Sequence, residues 1–240
     1  MANGSPVSYQ APAEIAISTD DVHFTFADSG TGNVYICSNP ANGAVTCTSY
    51  GSFTDPRSTV ADSNYVYIDN TGAGSVLSCP ILPGTCTTLQ TNPLASGAPT
   101  DDGMALDTSS VYYAVYINAS LGNICEVLKT GSGQLCSTAI ATSQGGPVRV
   151  AVDSANIYWS DDGDGQICTA PKTQINGGCT TVIASNQSSP YGIAIDSSYI
   201  YWINSGNGQV CWALKNVNQG SCNIIATDPP AGSIAIAVDP

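Results

Sequence analysis

Apolar residues alternate with small polar ones in short bursts along the whole chain, and clusters of Gly, Asn, Asp and Ser separate the bursts. Alternation of this kind, enriched in β-branched and aromatic residues, predicts strands, and no segment sustains the spacing of an amphipathic helix. The bursts also repeat. "YGIAIDSSYIYWINSG", beginning at Tyr191, restates "VRVAVDSANIYWSDDG", which begins 43 residues earlier.

Aligned on its Asp, the phrase recurs at Asp62, Asp107, Asp153, Asp196 and Asp239, at spacings of 45, 46, 43 and 43 residues. Four residues after each of the first four comes an apolar residue followed by a tyrosine: Val66-Tyr67, Val111-Tyr112, Ile157-Tyr158 and Ile200-Tyr201. Counting back places Ser18 in the Asp column and Val22-His23 in the next, which makes five repeats. Each unit runs on through a turn such as "DSGTGN" or "DDGDGQ" into a strand carrying Cys, then through a short loop to a second Cys that enters a last strand, so four strands per unit are expected. A period of about 40 to 50 residues with four strands per unit marks a β-propeller, whose blades bury their faces against their neighbours. The sequence therefore reads as an all-β, single-domain, five-bladed propeller over residues 14–240, with units near 14–57, 58–102, 103–147, 148–190 and 191–233 and a closing strand at 234–240. Residues 1–13 read as an N-terminal segment that serves as a closing or an exchanged strand.

"GIAIDSSYIYWINSG" and "VAVDSANIYWSDDG" resemble the blade openings of YWTD and NHL-type propellers, in which an innermost "AVD"-like strand precedes a strand containing "YW". The resemblance covers residues 14–240, rests on a few positions per blade and implies the fold. Those families have six or seven blades, whereas this chain holds five full units with a cysteine pair in each.

The pairs are Cys37/Cys47, Cys79/Cys86, Cys125/Cys136, Cys168/Cys179 and Cys211/Cys222, at the same place in every unit. They flank the hairpin between the third and outermost strands, where facing residues come close enough to bridge. Five disulfides, each inside its own blade, are expected. Zinc would need the cysteines clustered as in C-x-x-C, and the chain has a single His. Disulfides also imply an oxidising compartment, so the protein is expected to be secreted or at the cell surface.

Composition excludes several functions. Eighteen acidic against five basic residues give a formal charge of −13, which repels phosphate backbones and anionic membranes, and no basic cluster reverses this locally. Neither nucleic-acid binding nor membrane insertion is expected, since no apolar run approaches the roughly 18 residues of a spanning helix.

Candidate chemistry is sparse. Asp62, Asp107, Asp153 and Asp196 are the first candidates for ligand binding, because the first strand of a blade lies nearest the channel; the alternative is that each caps its own turn. No cofactor is expected; calcium is the candidate ion, either at the Asp column or at Asp161, Asp162 and Asp164 in "DDGDGQ". Every Ser-His-Asp or Cys-His mechanism would pass through His23, which reads as a packing substitute in the Tyr column. Trp159 and Trp202 share a column with Tyr113, Ile68 and Phe24 and read as interblade packing, whereas Trp212 has no aromatic counterpart and is a candidate surface contact. The only glutamates are Glu14 and Glu126, and nothing in the repeat singles out a carboxylate pair. Asn3, Asn118 and Asn186 open N-x-S sequons.

Strand one occurs six times and strands two and three five times, because "SIAIAVDP" at the C terminus repeats "AEIAIS" near the N terminus. The C-terminal copy is expected to take the inner place beside Val22–Ala27, freeing the N-terminal segment for head-to-tail pairing into an oligomer or filament. Together these features point to a non-catalytic extracellular scaffold, binding a surface glycan in equivalent grooves or assembling through its terminal strands. The alternative is a glycoside hydrolase-like enzyme using channel carboxylates.

Overall fold

Strands buried on both faces recur along the chain: Ile157, Tyr158 and Trp159, consecutive residues of one strand, are all 0% exposed. Only a strand with a packed layer on each side buries both alternating sets of side chains. The computed structural model describes residues 12–38, 45–82, 84–91, 103–131, 136, 139–227 and 235–238. Among them are five antiparallel sheets, each built from consecutive strands.

Two compact units divide the chain, residues 1–97 and 98–240. The first unit holds the sheet β1 (Pro12–Ile17), β2 (His23–Asp28), β3 (Asn33–Ser38) and β4 (Cys47–Tyr50), then the sheet β5 (Pro56–Ala61), β6 (Tyr65–Asn70), β7 (Ser75–Pro80) and β8 (Thr87–Thr91). The second unit opens with the sheet β9 (Met104–Leu106), β10 (Ser110–Asn118) and β11 (Leu121–Leu128). It continues with β12 (Pro147–Val152), β13 (Asn156–Asp161), β14 (Gln166–Pro171) and β15 (Thr181–Ala184), then β16 (Pro190–Ile195), β17 (Tyr199–Asn204), β18 (Gln209–Leu214) and β19 (Asn223–Ala226). No described helix is long and apolar enough to cross a membrane. Among the described residues the outer place of the third sheet holds a bridge, Ile124 with Ala141, which is tied in turn to the chain at Gly177.

The core lies between sheets rather than within them. Tyr112, Ala114 and Ile124 of the third sheet pack with Val150, Ile157 and Trp159 of the fourth. On the fourth sheet's other face Tyr158, Ile167 and Ile183 pack with Ile200, Trp202 and Ala213 of the fifth. Ala27, Val34 and Ile36 meet Ala61, Val66 and Ile68 in the first unit in the same way. Tight hairpins hold the stack together. Gly32 (φ +69°) and Gly165 (φ +61°) sit in the left-handed region, and a Cβ there would stand 2.5 Å from the Phe53 carbonyl oxygen and 2.6 Å from that of Gln187. Their own carbonyls accept the N–H of Phe53 (3.0 Å) and of Gln187 (2.9 Å), tying each hairpin to the chain that enters the next sheet.

All five disulfides form with the expected partners: Cys37 with Cys47, Cys79 with Cys86, Cys125 with Cys136, Cys168 with Cys179 and Cys211 with Cys222. No described cysteine is free. The second cysteine stands at the entry to the outer strand in four sheets, as expected, and departs in the third. Cys47 alone lies in its outer strand, directly facing Cys37 across β3 and β4. Cys86 and Cys222 stand just before β8 and β19 and Cys179 two residues before β15, in the connections that lead into those strands. Cys136 departs furthest: it sits in a turn, in the sheet whose outer place holds, among the described residues, a bridge. Ser78 faces Thr87, so Cys79 and Cys86 continue the β7–β8 register one residue beyond the ladder, with Cα atoms 4.1 Å apart against 4.0 Å for Cys37 and Cys47.

Two expectations about the chain ends are also corrected. The inner place beside β2 belongs to β1, with Ile17 opposite Phe24, and not to the C-terminal copy. Residues 235–238 form no strand, while Asp239 and residues 1–11 lie outside the described residues. The second correction concerns register. Ile17 faces Phe24 just as Val152 faces Ile157, so Phe24 stands in the Ile157 column and Thr25, not His23, takes the tyrosine place. The turn of the first sheet is two residues longer, closing from Ser18 to His23 instead of from Asp153 to Asn156. Asp20 takes over the capping there, accepting the Ser18 hydroxyl at 2.5 Å and the Val22 N–H at 3.2 Å.

Candidate functional site

Each repeated Asp closes the turn between the first and second strands of its sheet. Oδ1 of Asp107 accepts the N–H groups of Ser109 (2.8 Å) and Ser110 (2.9 Å), and Oδ2 accepts the Tyr112 hydroxyl at 2.9 Å. Asp62 does the same with Asn64, Tyr65 and Tyr67, Asp153 with Ala155, Asn156 and Tyr158, and Asp196 with Ser198, Tyr199 and Tyr201, all at 2.7–2.9 Å. The turn-capping alternative therefore accounts for the column. Such short anion-accepting bonds stabilise the carboxylate and its turn together.

In the second unit a lysine from the following sheet completes the frame. Lys172 Nζ lies 2.7 Å from Asp107 Oδ2 and 5.5 Å from the Tyr112 ring centroid. Lys215 Nζ lies 3.0 Å from Asp153 Oδ2 and 5.6 Å from the Tyr158 centroid. Burial raises the pKa of Asp107 and Asp153, but the lysine, the two N–H groups and the hydroxyl outweigh it together; Asp107 falls well below the carboxylate range and Asp153 to about 2. Burial, then the neighbouring carboxylate, pushes Tyr158 up to about 12.

The residue across from the tyrosine, on the third strand, differs in every sheet that carries the pair. Tyr67 faces Ser78, Tyr112 faces Glu126, Tyr158 faces Thr169 and Tyr201 faces Trp212. That position decides the chemistry of each groove in the second unit. Between the third and fourth sheets, Glu126, Asp107, Tyr112, Asp153, Lys172 and Thr173 line an open cleft of about 760 Å³. At the next groove Asn216 Oδ1 accepts the Tyr158 hydroxyl at 3.3 Å and the Thr169 hydroxyl at 3.4 Å, spanning the gap. On the fifth sheet Trp212 meets Tyr199 edge-on at 4.9 Å and, with Tyr201 and Ile225, lines a shallow hollow of about 310 Å³.

No family model matches the chain, and no curated protein matches its sequence. Solved structures do match its shape. A chain of the nidogen/laminin complex superposes with a TM-score of 0.67 at 13% identity, covering 93% of this chain and 82% of that one. Streptogramin B lyase gives 0.64 at 14% identity, covering 97% and 75%, and the computationally designed Ika8 protein 0.58 at 12%, covering 94% and 64%. The chain is a β-propeller. Identities this low carry the fold alone, so the grooves of this propeller have to be read from their own residues.

In the "DDGDGQ" hairpin Asp161 is the last residue of β13 and 1% exposed, while Asp162 and Asp164 stand in the turn, Asp164 at the surface. Burial raises Asp161 to about 7, and its Oδ2 accepts the Trp159 indole N–H at 3.2 Å. Among the described residues no three His, Cys, Asp or Glu side chains gather as a metal site would require. His23 opens β2 opposite Ser38. Sequence reasoning misses the lysines, although Lys129, Lys172 and Lys215 recur at intervals of 43 residues. That periodicity is the available signal.

The frame makes a prediction. Replacing Asp153 with Asn is expected to lower the unfolding free energy by about 2 kcal/mol at pH 7, since bonds to a charged acceptor contribute about 1.5–3 kcal/mol. A lowered carboxylate pKa stabilises the fold above the unfolded value, near 3.8, and that stabilisation is lost as the pH falls through about 2. The gap between parent and Asp153→Asn should therefore narrow from pH 7 to pH 2 in denaturant titrations. A gap independent of pH would contradict the ion pair with Lys215.

Proposed function

We propose that this propeller is a non-catalytic scaffold acting outside the cell, which holds a polyhydroxylated ligand such as a surface glycan in the grooves between consecutive blades. The observation that carries this reading is the pairing of a repeated frame with a varied position: Asp and Tyr hold the groove wall rigid, while Glu126 and Thr169 give the two grooves within the second unit different chemistry and Trp212 lines a hollow on the fifth sheet. The grooves are not equivalent, so affinity would come from one or two of them rather than from five weak copies. Five disulfides support work in an oxidising compartment.

Catalysis by the Asp column is disfavoured physically. A general acid needs a carboxyl that holds its proton near working pH, and Asp107 and Asp153 are driven the other way.

A glycan array probed with the intact protein tests the reading. Binding to a defined set of glycans is expected, and Trp212→Ala should weaken it by up to about tenfold for ligands that stack on the ring, since an aromatic contact of this kind is worth about 0.5–1.5 kcal/mol. Release of sugar from any of those glycans, or an empty array, would overturn it.

A further inference from the structure

The cleft between the third and fourth blades carries one carboxylate more than its cations balance. Asp107 is matched by Lys172 and Asp153 by Lys215. Glu126 has neither; its bond is the one donated by the Ser110 hydroxyl at 2.6 Å, and among the described residues no basic group pairs with it. A half-buried carboxylate left without a cation in a walled cleft attracts one from solution, because the walls lower the screening that bulk water would provide.

Comparison with the next groove shows that the space is particular to this place. The two grooves share the Asp–Tyr–Lys frame, and the residues that differ are the ones across it. There, Thr169 and Tyr158 both bond Asn216, and the groove is bridged. Here Glu126 stands 43 residues before Thr169, and Thr173 stands 43 residues before Asn216, so the shorter side chain leaves the cleft open beside the unmatched charge. At about 760 Å³ the cleft is within the range of small-ligand sites, about 300–1,000 Å³. Hydroxyls of Thr108, Ser109, Ser154 and Thr173 line it, which suits a ligand with many hydroxyls of its own.

We propose that this cleft selects a sugar bearing a free, protonated amino group, with the ammonium seated on Glu126 and the ring hydroxyls on the threonine and serine side chains. This rests on the reading of the protein as a binding scaffold and narrows it to one groove and one ligand class. The ammonium forms a charge-assisted bond to the carboxylate, whereas an acetylated amine brings a neutral amide that leaves Glu126 uncompensated.

The test uses the intact protein and two trisaccharides of one backbone, glucosamine trimer and N-acetylglucosamine trimer, titrated by NMR at pH 6 and low salt. The amine form is expected to bind at least about tenfold more tightly, with an advantage that shrinks as salt is raised. Glu126→Gln should bring the two affinities together while the melting temperature stays unchanged. Thr173→Asn, which copies the bridged groove, should weaken the amine form with Glu126 still in place. Equal affinities in the parent, or a preference that survives Glu126→Gln, would overturn the proposal while leaving the scaffold reading standing. Binding of neither trimer would overturn the proposal, and an empty array with it would remove the scaffold reading as well.

Discussion

Reducing and alkylating the ten cysteines is expected to abolish cooperative folding. The bridges join residues 10, 7, 11, 11 and 11 positions apart, and closing loops of that size restricts the unfolded chain by about 2–3 kcal/mol each. Together they amount to about 10–15 kcal/mol, as large as the whole stability of an ordinary domain, about 5–15 kcal/mol. Placement adds to the effect. Each bridge ties a buried third-strand cysteine, 0% exposed in all five blades, to the chain leading into the outermost segment, which has fewer packed neighbours. In the fifth blade the outer strand β19 is exposed along its length, so its ladder with β18 and the Cys211–Cys222 bridge hold it in place of burial. Near-UV circular dichroism and resistance to a non-specific protease, before and after alkylation, measure the result. A reduced chain that keeps its near-UV signal and its melting temperature would show that packing between blades suffices alone. Removing one bridge by Cys168→Ala with Cys179→Ala should cost only the single share, about 2–3 kcal/mol, and leave a folded protein.

The architecture is legible in the sequence because its determinants are periodic. The capping Asp and the Tyr that bonds it recur at intervals of 43 to 46 residues, the third-strand cysteine at 42 to 46, and each is fixed by local geometry that a neighbour cannot change. Where the period slips, the alignment slips with it. Cys47, Cys86 and Cys136 are 39 and 50 residues apart, so the partners of Cys86 and Cys136 can be read from the sequence while the place of Cys136 in its sheet cannot. Two extra residues between Ser18 and His23 put Phe24 and His23 in the wrong columns, and only the strand pairing of Ile17 with Phe24 restores the register. The grooves are harder to see for the opposite reason. Glu126, Thr169 and Trp212 share a position yet have nothing chemically in common, so alignment by similarity hides what alignment by structure exposes. Counting strands misleads at the C terminus, because a sequence able to form the inner strand does not show which of two copies will occupy the place. Charge pairing across blades depends on residues 62 to 65 positions apart, such as Asp153 with Lys215, and no local pattern announces it.

Replacing Trp202 with Ala is expected to cost about 3–5 kcal/mol, the range for deleting a buried aromatic side chain. The indole is 0% exposed and lies in the cluster that joins the fourth and fifth blades, with Tyr158, Ile183 and Ala213 around it. Its N–H donates to Gln187 Oε1 at 3.0 Å, and Asn204 Nδ2 donates to the same oxygen at 3.0 Å. Trp202→Phe removes the indole N–H and part of the volume but leaves Gln187 its bond from Asn204, so a smaller cost, about 1–3 kcal/mol, is expected. Trp212 gives the contrast, because it is ten residues further on and only half-buried. Trp212→Ala should change stability by about 1 kcal/mol or less and act instead on ligand binding. Urea titrations of the three variants beside their glycan affinities separate the two roles. If Trp212→Ala destabilised the fold as much as Trp202→Ala, its ring would belong to the core, and the aromatic hollow of the fifth blade would lose its claim to be a binding surface.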